Sequence, residues 1–389
     1  MSYEDIAFTW TGDVTSISSY AQYARALLEP LIKGGATVRI EPMRPVKPNA
    51  DLPQWWHETL QKCTKIGPLY TKISHCEPHQ ASANIMGGPH ILLTHWPTAS
   101  LPMTWRQFLS GSNFSLLLTT NPQALEDDFL KSIPLEKGFI PVPLDADPYS
   151  KDVSEITDVK SNTFVFGSVG YWNQKSNFSD LLIAYTTEFS ASDNVALVIK
   201  TLTRNPNDPN EGARLLQLVR EQKNAINKPD KPPVIIIQDV FDEVALNAII
   251  RRFNCYVSTK RGTSVDISLG KCVSMGKPII TTNVGISKMY LNDCKALPKA
   301  IRMVPMTQEP VTMFEGGNPL DSWGRCDVGT LCKHLKQMYI DHITCDKVTS
   351  TEVVKMKDKC LDLYSTEVVV ERFAKYIRSY SPKPLLKFT

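Results

Sequence analysis

The stretch Phe164 to Thr201, FVFGSVGYWNQKSNFSDLLIAYTTEFSASDNVALVIKT, reads as strand, loop, helix and strand. An apolar run from Thr163 to Val169 meets a polar loop carrying Lys175. Asn177 to Phe189 then spaces its apolar residues helically, and Val195 to Lys200 (VALVIK) returns as a second strand. Runs this apolar need cover on both faces, the situation of strands in a parallel sheet flanked by helices. The alternation continues with helix Glu211 to Asn224, strand Val234 to Gln238, helix Glu243 to Phe253, strand Cys255 to Ser258, helix Ser268 to Met275 and strand Pro278 to Thr281. Strands alternating with helices of about 10 to 15 residues predict βαβ units and a doubly wound sheet.

A similar series precedes it. Ser18 to Lys33 carries Tyr20, Tyr23, Ala24, Leu27, Leu28 and Leu31 on one helical face, ends at Gly34-Gly35, and is followed by a strand at Ala36 to Ile40. His90 to Thr94 (HILLT) and Ser115 to Thr119 (SLLLT) are further short apolar strands. The polar segment Pro148 to Asn162 is the linker candidate. The chain therefore divides into a first Rossmann-like domain, residues 1–155, and a second, residues 160–345. Two amphipathic helices, Val353 to Tyr364 and Thr366 to Tyr380, lie within the remainder, 346–389, and are expected to pack across the domain boundary. Two doubly wound sheets facing a cleft make that cleft the expected ligand site.

A length of 389 residues suits two domains with full cores, and 42% hydrophobic against 21% charged residues excludes a disordered chain. A net charge of +3 and a pI near 8.2 argue against a dedicated duplex-DNA binder. The N-terminus MSYEDIAFTW lacks the basic and apolar regions of a secretion signal, and no apolar run approaches 18 residues, so no transmembrane segment is expected. Nine scattered cysteines without a C-x-x-C pair favour reduced thiols in a cytoplasmic setting, and the histidines, His75 and His79 included, show no zinc-ligand spacing.

Several strings resemble GT-B glycosyltransferases of the retaining family-4 type. Phe164 to Thr201 is similar to the opening of that family's donor domain. Ile140 to Pro148 (IPVPLDADP) resembles the end of its acceptor domain. Phe253 to Thr282 (FNCYVSTKRGTSVDISLGKCVSMGKPIITT) resembles its donor-sugar motif, with Arg261-Gly262 and Gly276-Lys277-Pro278-Ile279-Ile280 in register. His90 to Pro102 resembles the strand that ends beside the sugar, which makes His95 the corresponding residue, and Gly12-Asp13 takes the place of the glycine-containing first loop. The motif's two glutamates, eight positions apart, hold the donor sugar and ribose in the family; Thr263 and Lys271 stand in their places here.

The resemblance implies transfer from a UDP-, GDP- or ADP-linked sugar to a glycan, protein or lipid acceptor, with retention, without a metal or other cofactor, and with peripheral membrane contact left open. A departing diphosphate needs positive charge and amide donors. Lys175 and Arg261, with Gly262 and Gly12, are the expected diphosphate residues, and Lys260 and Lys200 are weaker candidates. Thr263, Ser264, Asp266 and Lys271 would face the donor sugar and nucleotide, Asp266 standing in for a missing carboxylate on a ribose diol. His95 is the catalytic candidate, donating to a sugar hydroxyl or the leaving group, against the alternative of a structural histidine satisfied by a carbonyl. Lys271 either reads a different anion or marks a site that has lost its donor, so a catalytically inactive binding or assembly protein, or a different nucleotide-sugar enzyme, remain the competing readings. Tyr171-Trp172 stacks on a base or simply packs, and Asp145-Ala146-Asp147 reads as a linker entry rather than a metal clamp.

Overall fold

The computed structural model describes residues 1–43, 52–82, 87–96, 101–145, 159–202, 209–310 and 322–381. The first sheet contains β1 (Ala7–Gly12), β2 (Thr37–Glu41), β3 (Lys72–His75), β4 (His90–Leu93), β5 (Leu116–Thr119) and β6 (Glu136–Phe139), all parallel, in the order β2-β1-β3-β4-β5-β6. Its helices are α1 (Ser19–Lys33), α2 (Gln54–Cys63), α3 (Met103–Gly111) and α4 (Asp128–Ser132). The second sheet contains β7 (Phe164–Tyr171), β8 (Val195–Leu202), β9 (Val234–Ile237), β10 (Cys255–Ser258), β11 (Ile279–Thr282) and β12 (Ile301–Val304), also parallel, in the order β12-β11-β10-β7-β8-β9. Helices α5 (Phe178–Glu188), α6 (Pro209–Ala225), α7 (Glu243–Arg252), α8 (Ile267–Ser274) and α9 (Gly285–Asp293) alternate with these strands. An antiparallel hairpin, β13 (Met306–Pro310) with β14 (Ser322–Cys326), leads to α10 (Val328–Ile343), α11 (Lys347–Tyr364) and α12 (Thr366–Tyr380).

Side chains of the second sheet alternate between two cores, as a two-residue period requires. Phe164, Phe166, Leu197, Ile199 and Val257 join the core under α5 and α10, whereas Val165, Val198 and Tyr256 join the larger one. That larger core continues into the first domain through α8, α11 and α12, so one apolar mass holds both domains. α12 brings Phe373 edge-on to Phe8 at 6.3 Å and to Trp10 at 6.4 Å, and it packs on α1. α11 packs on α8, and α10 on α5. The chain crosses between domains where Leu144 pairs with Ser365. The Leu144 N–H donates to the Tyr364 carbonyl at 2.8 Å, and the Thr366 N–H to the Leu144 carbonyl at 3.0 Å.

The strands and helices expected from 163–282 are present within one or two residues at each end. β1, β3, β6 and β12, the hairpin and helices α2, α3, α4, α9 and α10 had no counterpart in the sequence reading. Most of the linker candidate, 148–158, lies outside the described residues, as do Ala146 and Asp147 of the Asp-x-Asp string.

Candidate functional site

Strand order reverses between β7 and β10 in the second sheet and between β1 and β3 in the first. At such a reversal the connections leave in opposite directions and open a crevice at the carboxyl ends. Lys175 follows β7 and Lys260 follows β10, so the second crevice is flanked by two lysines. Their loops are stitched together: the Arg261 N–H donates to the Lys175 carbonyl at 2.8 Å, and the Thr259 hydroxyl lies 3.1 and 3.0 Å from the Ser176 and Asn177 carbonyls.

Lys260 forms a 2.6 Å ion pair with Asp266, which also caps α8 by accepting from the Leu269 N–H at 3.1 Å. Lys175 has no hydrogen-bonding side chain or carboxylate on its ammonium among the described residues. Burial, and then the charge of Lys260, push it down to about 8 against a weaker pull from Asp266. Lys200, at the end of β8 and 5% exposed, donates to the Thr201 carbonyl at 3.0 Å and lies 5.3 Å over Phe241. Burial pushes it, too, down to about 8. A cavity of about 110 Å³ is lined by Gly170, Tyr171, Lys200, Lys260, Asp266 and Ser268. It shares Ile17, Gln22, Phe241, Leu246 and Ile267 with a groove of about 760 Å³ between α1 and the α7–α8 pair. The groove alone has the volume of a typical small-molecule site.

Lys271 faces this groove but does not stand free. Its ammonium donates to Glu243 Oε1 at 2.6 Å and to Asn247 Oδ1 at 2.8 Å. Much of the Glu243 side chain faces water; the protein around its carboxyl opposes ionisation, yet Lys271 and Arg25 together hold it below the usual range. A carboxylate therefore does reach this wall, from α7 rather than α8. Thr263 is 1% exposed and its carbonyl accepts from the Ile286 N–H at 3.3 Å. That approach needs Gly285, at φ +52°, because a Cβ there would strike the Thr263 carbonyl.

Arg261 is turned away from the lysines. It pairs with Glu309 of β13, donates to Asn177 Oδ1 at 3.3 Å and lies 5.6 Å over the Trp323 ring, while Gly262 is buried in the turn behind it. Tyr171 is exposed on the rim of the small cavity, and Trp172 packs on Phe178 at 5.2 Å.

Across the cleft, His95 is 1% exposed, with both ring nitrogens engaged: Nε2 meets His75 Nε2 at 2.9 Å and Nδ1 meets Thr120 Oγ1 at 3.0 Å. The Thr120 hydroxyl donates to the Ser264 carbonyl of the second domain. That carbonyl can only accept, which orders the protons along the chain. Thr120 accepts from His95 Nδ1–H, and His95 Nε2 accepts from His75 Nε2–H. Burial favours neutral rings in this arrangement, pushing His75 down to about 3 and His95 well below its ordinary range, the latter helped by His75 and Lys175. His95 is satisfied by a side-chain chain rather than by a carbonyl, and its neighbour His75 was not anticipated.

Gly12 pairs with His75, and a Cβ on it would come within 3.0 Å of the His75 Cβ and carbonyl. In the following loop the Asp13 carboxylate accepts from the Thr15 and Ser16 N–H groups at 3.0 and 3.1 Å and from the Ser16 and Ser18 hydroxyls. The Thr15, Ser16 and Ser18 amides of that loop are filled from within the chain. Among the described residues no cluster of three or more His, Cys, Asp or Glu side chains is arranged to hold a metal, and no helix is long and apolar enough to cross a membrane.

The structure thus brings Lys175, Lys260, Asp266, Lys200 and Ser264 to one edge, with His95 opposite, and sends Arg261 and Lys271 to other partners. No protein-family model and no curated protein matches the chain by sequence. Solved structures do match along almost the whole fold. Sucrose-phosphate synthase of Thermosynechococcus elongatus superposes with a TM-score of 0.68 at 13% identity, over 96% of this chain and 98% of that one. A UDP-forming α,α-trehalose-phosphate synthase of Burkholderia xenovorans gives 0.64 at 12% identity, over 98% and 100%. An E. coli structure described as "Trehalose-6-phosphate" bound with UDP-2-fluoro glucose gives 0.65 at 10% identity, over 97% and 100%. Together with the two reversed sheets and the returning C-terminal helix, these superpositions show that the chain has the GT-B fold.

Proposed function

We propose that the chain is a metal-independent glycosyltransferase that takes its sugar from a nucleoside diphosphate sugar and transfers it, with retention, to an acceptor in the interdomain cleft. The observation that carries this reading is Lys175, which has no carboxylate on its ammonium among the described residues and stands beside Lys260 at the β7–β10 reversal, with Lys200 of the neighbouring strand β8 on the wall of the same small cavity as Lys260. Depressed lysines cluster at binding sites, and a diphosphate would offset the burial of both ammonium groups. Lys175 and Lys260 would stabilise charge developing on the leaving diphosphate in a partly desolvated site. The nucleoside would extend into the 760 Å³ groove, where Glu243, fixed through Oε1 by Lys271, keeps Oε2 for sugar hydroxyls. UDP is the first nucleotide to test, because two of the superposed structures carry it in their descriptions. The acceptor class is a glycan, protein or lipid hydroxyl, and nine free thiols suit a cytoplasmic enzyme.

A second reading, a GT-B protein that binds without transferring, is favoured by one observation: Thr263 and Lys271 present no carboxylate to the cavity. Thermal unfolding with UDP-, GDP- and ADP-sugars tests binding, and nucleotide release in the presence of EDTA tests turnover. Stabilisation with release supports transfer without a metal, and stabilisation without release supports the second reading. Absence of stabilisation by any of the three refutes both.

A further inference from the structure

Cys294 and Cys360 lie 66 residues apart in sequence, yet their sulfurs are 3.7 Å apart, both fully buried. All nine thiols are free, and the other thiols that donate, such as Cys326 to Asp180 and Cys332 to the Ala184 carbonyl, donate to oxygen rather than meeting sulfur. The two helices that carry the pair are held in register by one residue. Asp293, at the end of α9, takes the Tyr364 hydroxyl on its carboxylate and the Lys359 ammonium on its carbonyl, both from α11. Cys294 caps α9 one layer below the surface, between exposed Asn292 and Lys295. Four residues beyond Cys360, the Tyr364 carbonyl accepts the Leu144 N–H at the interdomain crossing.

We propose that Cys294 and Cys360 are a site of reversible oxidation, closing to a disulfide when the protein meets a peroxide and pinning α11 to α9 beside the crossing. The Cys294 thiolate attacks one peroxide oxygen; the O–O bond breaks, hydroxide leaves and takes up a proton, and a sulfenic acid remains. The Cys360 sulfur then attacks the Cys294 sulfur and water leaves, so two thiols and one hydrogen peroxide become one disulfide and two waters. The electrons come from the two sulfurs, and a thiol reductant reverses the reaction. Cys294 is the attacking group because it stands at the end of α9 between exposed Asn292 and Lys295, where the contact with Cys360 lowers its thiol against the opposing effect of burial and the Lys359 charge adds to the lowering, whereas Cys360 lies within α11. Both sulfurs are fully buried, and Cys294 is the one flanked by exposed residues, so a peroxide would reach the pair from the side of Asn292 and Lys295.

The test is hydrogen peroxide treatment of the full chain, alkylation of free thiols under denaturing conditions, and non-reducing peptide mass spectrometry. A Cys294–Cys360 cross-linked peptide, lighter by two hydrogens and lost on adding dithiothreitol, is expected, with oxidised protein unfolding at a higher temperature than reduced protein. Cys360→Ser should leave a sulfenic acid on Cys294 that dimedone traps. The proposal is overturned if both thiols remain alkylatable at a peroxide dose that modifies exposed Cys345, or if Cys294 proceeds to sulfinic acid with Cys360 untouched. The wild-type peptide map decides this even if the serine variant does not fold.

Discussion

Replacing Lys175 by methionine separates stability from binding. Its ammonium is pushed from 10.5 to about 8, first by burial and then by Lys260. The unfolded chain keeps that proton up to its ordinary value and the folded chain releases it near 8, so between the two unfolding takes up a proton and stability rises with pH. Below 8 the full penalty is present, roughly 3 kcal/mol for a displacement of this size and less where water reaches the group. Lys175→Met, of similar length and uncharged, should therefore raise the stability of the ligand-free protein at pH 7 by about 1–3 kcal/mol, and the gain should disappear as pH approaches 10.5. The same substitution removes a charge-assisted bond to phosphate worth about 1.5–3 kcal/mol, so UDP affinity should fall roughly 10- to 150-fold. In the parent, affinity should decline above pH 8 as Lys175 and Lys200 lose their protons. Urea unfolding at pH 7 and 10, with isothermal titration of UDP, measures each part. A variant less stable than its parent at pH 7, or one that still binds UDP as tightly, refutes this account of Lys175.

Burial pushes His75 down to about 3, His90 to about 4 and His95 well below its usual range. The unfolded chain protonates all three near 6.5, so stability should fall as pH drops from 6.5 toward 5, by up to roughly 4 kcal/mol per unit; a flat urea midpoint in that window contradicts the neutral chain through Thr120. Glu243→Gln should cost about 1 kcal/mol or less because its carboxylate is exposed, and it should narrow the preference for UDP over its 2′,3′-dideoxy analogue. An unchanged preference removes Glu243 from the nucleoside site. Phe373→Ala, which empties a fully buried position between α12 and β1, should cost about 3–5 kcal/mol in equilibrium unfolding; a cost under 1 kcal/mol means that α12 does not close the first domain's core.

How much of this was legible depended on how the interior is built. β8 and β10 declare themselves because buried parallel strands are continuous apolar runs. β3 does not: its sequence is Lys-Ile-Ser-His, polar in three of four positions, yet every one is buried. Ser74 meets His90 at 2.9 Å, Lys72 donates to Ser82 and His75 meets His95, contacts between residues distant in sequence that no local pattern reveals. For the same reason His95 was visible as a histidine ending a strand, while the partners that saturate it were not. Lys175 was legible because it follows a strand end, whereas of the two adjacent basic residues after β10 the sequence favoured Arg261 over Lys260. Lys260 takes Asp266 and lines the cavity, and Arg261, one residue on, faces the hairpin, whose pairing with Glu309 had no signal in the sequence. Glu243, which reaches Lys271 from a different helix, had no signal in the sequence.

The central claim, that a nucleoside diphosphate sits at the β7–β10 reversal, is tested most directly by a crystal structure of the protein soaked with UDP. The account predicts phosphate oxygens within hydrogen-bond distance of the Lys175 and Lys260 ammonium groups at the start of α8, with the nucleoside directed into the groove beside Glu243. Nucleotide seated elsewhere, with Lys175 still unpartnered, or no bound nucleotide at saturating concentration, would contradict it.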